Sequence, residues 1–206
     1  MESMRKWTPP LMCVASMTLL VSQIYGYIAL RWYVPAGSGS PERQAAWLLS
    51  PEKHVVSGLN LVGFFLLILT LALVYFRFAD RLGRFGFAAF AAALLGTCLM
   101  YGDVWFEAFA TPLVAELAPQ AVGRFTASIV LGAALTFVGF GLGWALFGLS
   151  FFLARCVPRP VSALLIASGL YGWQALTAPK LVPLALAWGT LGVLLWLEDR
   201  EGSRTL

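Results

Sequence analysis

The stretch Phe76-Arg-Phe-Ala-Asp-Arg-Leu-Gly-Arg84 gathers Arg77, Asp80, Arg81 and Arg84 into one short interval between two long apolar runs. The first run covers about 55–76 and is interrupted only by Ser57, Asn60 and Thr70; the second covers about 85–109. A helix rises about 1.5 Å per residue, so about 20 apolar residues cross a hydrocarbon layer roughly 30 Å thick. Both runs are that long. A tight basic loop between them reads as the turn joining two antiparallel membrane helices.

Working outward, four more apolar segments follow the same rule, at about 9–30, 125–154, 161–177 and 181–197. The expected fold is all-α: a polytopic integral membrane protein with six transmembrane helices in a compact bundle, forming one domain over 1–206. Composition agrees, with 60% hydrophobic and only 12% charged residues, against about 25% charged in a soluble domain. Mean hydropathy is +0.80. Arg5 and Lys6 before Pro9-Pro10 resemble the start of a signal peptide, but the apolar run is too long and no Ala-x-Ala pattern follows closely, so a retained first helix is expected. The last two segments are short enough that a single re-entrant hairpin competes with two spans, the turn falling at Ala178-Pro-Lys180. Two spans leave the basic sides correctly placed.

The long connections have their own signals. Pro, Gly and Ser at 35–41 predict a flexible turn, and 42–50 a short interfacial helix dipping Trp47, Leu48 and Leu49 toward headgroups. Pro51 and Glu52 suit the first turn of the next helix. Pro112 and Pro119 predict a broken second loop over 110–124.

Charge gives orientation. With six spans, Arg5, Lys6, Arg77, Arg81, Arg84, Arg155, Arg159, Arg200 and Arg204 share one side. Arg31, Arg43, Lys53, Arg124 and Lys180 share the other. The excess in the shortest loops places both termini in the cytoplasm, here of a bacterial inner membrane. The net charge of +4 is scattered over separate loops and forms no basic stripe, so nucleic acid is not an expected partner. Expected partners are membrane lipids, with other membrane proteins or a second copy as further candidates.

The cysteines Cys13, Cys98 and Cys156 lie in or beside apolar stretches at spacings that fit no disulfide, zinc or iron–sulfur pattern. A single histidine excludes an all-histidine metal site or bis-histidine haem within one copy. The residues assign no cofactor. Phosphate-binding loops, nucleophile elbows and zincin motifs are all missing, so catalysis is not the expected role.

Polarity inside the spans gathers toward the outer side: Gln23, Tyr25 and Tyr27, Asn60, Tyr101, Asp103 and Glu107, then Tyr171 and Gln174, with His54 at the same boundary. Asp103 and Glu107 lie one helical turn apart, where like charges repel, so a proton, a cation or a ligand's cationic group would relieve them. The competing expectation is a hydrogen-bonded cap on the bundle. No ligand spacing supports a metal role for His54, Asp103 and Glu107. Trp32, Tyr33, Trp47, Trp105, Phe106 and Phe109 fit an interfacial aromatic belt, with a cage for an organic cation as the functional alternative.

On the fourth segment Gly132, Thr136, Gly139 and Gly143 share a face that lets another helix approach closely, as an internal seam or a homodimer contact; Phe151 is expected to face lipid. Three functions follow. The first is an accessory or scaffold subunit packing through small-residue faces. The second is a small transporter or ligand-binding membrane protein with an outward-facing polar cavity around Asp103 and Glu107. The third is a membrane-embedded enzyme acting on lipid.

Overall fold

A computed structural model describes residues 2–35, 40–124, 126–172 and 181–202. Its helices are α1 (Glu2–Tyr33), α2 (Pro41–Leu48), α3 (Pro51–Leu117), α4 (Ala127–Ala154), α5 (Arg159–Gly172) and α6 (Val182–Gly202), with a 3-10 turn at Pro119–Ala121. Four of them, α1, α3, α4 and α6, are long and apolar enough to cross a membrane. The chain is an all-α, membrane-associated bundle.

The 67 residues of α3 would span about 100 Å if straight. Instead the helix breaks at Gly83, whose φ of 59° and ψ of −159° suit only glycine, because a Cβ would clash with the backbone there. Lys53 and Glu107, 54 residues apart in sequence, come within 2.9 Å of each other, and the rings of Tyr75 and Phe90 stack at 4.2 Å. α3 is therefore an antiparallel hairpin with arms 51–82 and 84–117. The expected loop over 76–84 shrinks to one residue. Helix persists through 76–82 because Phe78 and Leu82 are buried and because Arg77, itself 8% exposed, donates to both carboxylate oxygens of Asp199 at 3.0 and 2.9 Å.

Other boundaries move for local reasons. α1 begins at Glu2 and carries Pro9 and Pro10 within it. α3 starts at Pro51, as its first-turn proline predicts, with Ser50 as N-cap. It then runs through Pro112 to Leu117 instead of breaking, while Thr111 Oγ1 donates to the Glu107 carbonyl. Pro119 does end it. α6 extends to Gly202 because the Arg77 pair holds its charged last turns. The end of the fifth segment and the expected turn at 178–180 lie outside the described residues.

Contacts fix the directions. α1 is antiparallel to the first arm, with Ser22 meeting Asn60 and Gly63 packed on Leu19. The second arm is antiparallel to α4, and α4 to α5, through Gly148 on Leu165 and Gly169 on Ala145. α6 returns antiparallel to α1, with Gly192 on Met12 and the Ser16 hydroxyl donating to the Ala185 carbonyl. The alternation brings both ends of the described chain to the same end of the bundle as Gly83 and Arg155. We call this the terminal end, and the opposite one, carrying 34–35, 40–50 and 118–124, the loop end.

The core centres on Trp144 and Trp188, both fully buried, whose indoles meet edge-on at 5.1 Å and 87°. Each donates its N–H to a threonine on a different arm of α3, Trp144 to Thr97 at 3.0 Å and Trp188 to Thr70 at 2.9 Å. Those threonines in turn donate to the carbonyls of Ala93 and Leu66, so every polar atom of the relay is satisfied within an apolar interior. Phe151, expected at the lipid face, is instead fully buried against Phe78 and Phe147. α4 lies between the hairpin and α5, so that face meets protein rather than lipid.

The close approach of α4 to the second arm is local. A Cβ added at Gly143 would lie 2.6 Å from the Ala92 carbonyl oxygen, and one at Gly96 would lie 2.5 Å from that of Gly139. Thr136 is buried. Among the described residues a Cβ at Gly139 itself meets only Leu99 Cδ1 at 3.9 Å, and one at Gly132 meets nothing within 4 Å. Gly143→Ala should therefore cost about 1–3 kcal/mol by overpacking against backbone, whereas Gly132→Ala should leave the unfolding temperature in detergent unchanged. Equal midpoints for the two variants would show that the seam is not tight.

Candidate functional site

Where the two arms of α3 approach the loop end, the bundle encloses a cavity of about 530 Å³. α1 contributes Ser22, Gln23, Gly26 and Leu30, and the first arm Lys53, Val56, Asn60 and Phe64. The second arm supplies Met100, Asp103, Val104, Glu107 and Thr111, and Phe137 of α4 closes one side. α2 lies across the mouth through Gln44, Trp47 and Leu48. Its position is set by Ser40 capping its first turn and by the Trp47 ring against Tyr33, 5.8 Å away. The Tyr33 hydroxyl donates to Glu52 at 2.8 Å, tying the end of α1 to the start of α3.

The charged centre is asymmetric. Lys53 Nζ donates to Glu107 Oε2 at 2.9 Å; its side chain is 9% exposed, that of Glu107 47%. The pair joins a cation set one turn after the Ser50 cap to a carboxylate on the returning arm. Asp103 lies one turn deeper on the same face as Glu107, and among the described residues it has no ion-pair partner within 4.0 Å. The cavity thus holds one internally paired carboxylate and one left over, a net negative charge facing neutral donors and acceptors. Ser22 adds a polar wall, donating to Asn60 Oδ1 at 2.7 Å and within 3.2 Å of the Val56 carbonyl. With its oxygen engaged, Asn60 presents its amide donors.

Toward the terminal end the cavity is closed. Phe64, Met100 and Phe137 form its floor. Beneath them runs a column of rings: Phe64 to Phe140 at 6.1 Å, Phe140 to Trp144 at 6.2 Å, Trp144 to Phe147 at 6.2 Å and Phe147 to Phe151 at 4.7 Å. A polar solute has no hydrogen-bonding route through it.

Of the residues the sequence singled out, Gln23, Asn60, Asp103 and Glu107 come together here. His54 does not: it is exposed, and its Nδ1 lies 2.7 Å from the carbonyl of Ser50 on its own helix. Tyr101 packs against the apolar core, outside the cavity lining. Gln174 lies outside the described residues. Lys53 is the participant that sequence reasoning missed, having been counted as a loop cation. Its signal was position: it lies 30 residues before Gly83 and Glu107 lies 24 after it, so folding the two runs together brings opposite charges to the same end of the bundle. Among the described residues no three or more His, Cys, Asp or Glu side chains are grouped to hold a metal ion. The chain matches no known protein family, no curated protein and no solved structure.

Replacing Lys53 with Met should destabilise the fold more than Glu107→Gln does, because it leaves two carboxylates one turn apart with no cation, whereas Glu107→Gln leaves the lysine with Asp103 in the same cavity. A double-mutant cycle of the two changes, read by thermal unfolding in a neutral detergent, should return a coupling of about 1 kcal/mol, since one partner is half exposed. Strict additivity would mean the pair contributes nothing.

Proposed function

We propose that this chain is a six-pass membrane protein that binds a small ligand bearing a cationic group in an outward-facing cavity, with Asp103 as the principal anionic contact. The observation that carries the reading is a charged, amide-lined cavity closed on its far side, containing one carboxylate more than its lysine neutralises. In an interior of low dielectric such an imbalance favours a positive occupant far more than water does. Asn60, Gln23 and Ser22 supply hydrogen bonds for its polar substituents, and Trp47 and Phe137 apolar contact.

The six proposed crossings are α1, the two arms of α3, α4, α5 and α6. The charged pairs fit this arrangement. From Lys53 to Arg77 is about 36 Å of helix, so both pairs sit at the edges of a hydrocarbon layer roughly 30 Å thick. The arginines of the terminal end, Arg77, Arg81, Arg84, Arg155, Arg159 and Arg200, support our reading that both termini are cytoplasmic and the cavity faces outward, in a bacterial inner membrane. This favours the ligand-binding reading over the accessory subunit, because the tightest glycine contacts close on the chain's own helices.

Orientation is tested in a background lacking Cys13, Cys98 and Cys156. A cysteine at Ala46 should react with an impermeant maleimide from outside, and one at Arg84 only after permeabilisation; the reverse pattern would invert the topology. Binding is tested with propylammonium as probe and acetate as control. At roughly ten times Kd the wild type should gain about 1.4 kcal/mol, or roughly 3–6 °C in Tm, and Asp103→Asn should abolish the gain while keeping the fold. An equal gain in the variant, or none in the wild type, would return weight to the scaffold role.

A further inference from the structure

The tightest backbone contacts of α4 with the second arm of α3 end at Gly139, and toward the loop end Thr136 and Phe137 are the last buried residues of α4. Gly96 against Gly139 and Gly143 against Ala92 set an antiparallel register. Continued toward the loop end, that register puts Gly132 opposite Asp103 and Val104. The helices do not meet there. Among the described residues a Cβ at Gly132 finds nothing within 4 Å, and in 127–135 every residue except the half-buried Ala133 is exposed. On the facing arm Leu99 and Phe106 are exposed as well. The two helices therefore diverge into a cleft that begins beside the carboxylate and opens sideways, at the level of the hydrocarbon in the orientation given above.

Cleft and cavity share a wall. Val104 and Phe137 line the cavity, and both belong to the elements that bound the cleft. The polar chamber with its surplus negative charge thus borders an apolar space between the diverging helices, where Gly132 and the exposed Leu99, Phe106, Ile129, Leu131 and Leu135 lie. A small hydrophilic cation uses only the first half of such a space. A molecule with a charged head and an alkyl tail uses both, gaining about 0.8 kcal/mol for each methylene removed from water.

We propose, resting on the cavity reading above, that the ligand is an amphiphile: an alkylammonium or ammonium-headed lipid whose head lies at Asp103 and whose tail occupies the cleft between the second arm of α3 and α4. Head recognition is ionic and tail recognition is by shape, so the two can be removed separately. Gly132→Trp fills the cleft, and its open surroundings leave the fold intact.

The test uses dodecylammonium bearing a diazirine at the tail end, with the corresponding dodecyl sulfate as control, on the full chain in maltoside micelles. Cross-links are mapped by peptide mass spectrometry. Labelling is expected within 128–139 and 99–106, and should fall about tenfold in Asp103→Asn, the loss of one charge-assisted contact. It should also be lost in Gly132→Trp while propylammonium still stabilises that variant. Labelling that survives Gly132→Trp, or that the sulfate reproduces, overturns the amphiphile; if propylammonium still depends on Asp103, the cavity reading stands without it. Failure of both ammonium probes to respond to Asp103→Asn removes the cavity reading too. Phosphatidylethanolamine that competes with the probe identifies the ligand as a bilayer lipid, and failure to compete identifies a free amphiphile; both results uphold the class.

Discussion

One backbone conformation governs this molecule. Gly83 holds a φ of 59° with an extended ψ, open to glycine and closed to side chains bearing a Cβ. Through that single residue a helix long enough to cross a membrane more than twice becomes two arms lying side by side. The fold-back brings Lys53 to Glu107, stacks Tyr75 on Phe90, and places Thr70 and Thr97 on neighbouring arms where two tryptophans reach them. The Arg77–Asp199 pair then ties the first arm, just before the elbow, to α6.

Much of the architecture was legible in the sequence because apolar run length is a physical requirement rather than a tendency. The hairpin, the helix at α2, the Pro51 start and the gathering of Gln23, Asn60, Asp103 and Glu107 all follow from runs, caps and the sidedness of polar residues. What was illegible depended on rotation about helix axes. In a membrane both the lipid face and the protein face are apolar, so no amphipathic stripe distinguishes them, and Phe151 could not be assigned to the core from its neighbours in sequence. The same ambiguity hid which glycines meet a partner: Gly143 and Gly96 do, Gly132 does not, and all three sit in similar surroundings along the chain. His54 looked like a neighbour of the carboxylates because it shares their height in the bundle. Height is readable from residue count, but azimuth is not.

The interior shows how the bundle tolerates polarity without a solvent. Trp144 and Trp188 place N–H groups where an unpaired donor would be costly, and each finds a threonine hydroxyl already anchored to its own helix. This relay crosses between helices in the middle of the core, and the Arg77–Asp199 pair fastens the terminal end. At the loop end, by contrast, the diverging outer part of α4 and the chamber at Asp103 leave space. Specific contacts are concentrated in one half of the molecule and ligand-sized space in the other.

The aromatic column beneath the chamber has an electrical consequence. On the proposed reading, with the column blocking the far side, an occupant would arrive and depart through the loop end, and its charge would traverse just part of the membrane field. Full passage of one elementary charge is worth about 2.3 kcal/mol per 100 mV, so a cation resting at Asp103 would feel only a fraction of that. Its occupancy would then be set by the chemical potential on one face and biased mildly by voltage, which makes the proposed chamber a partly voltage-coupled reservoir.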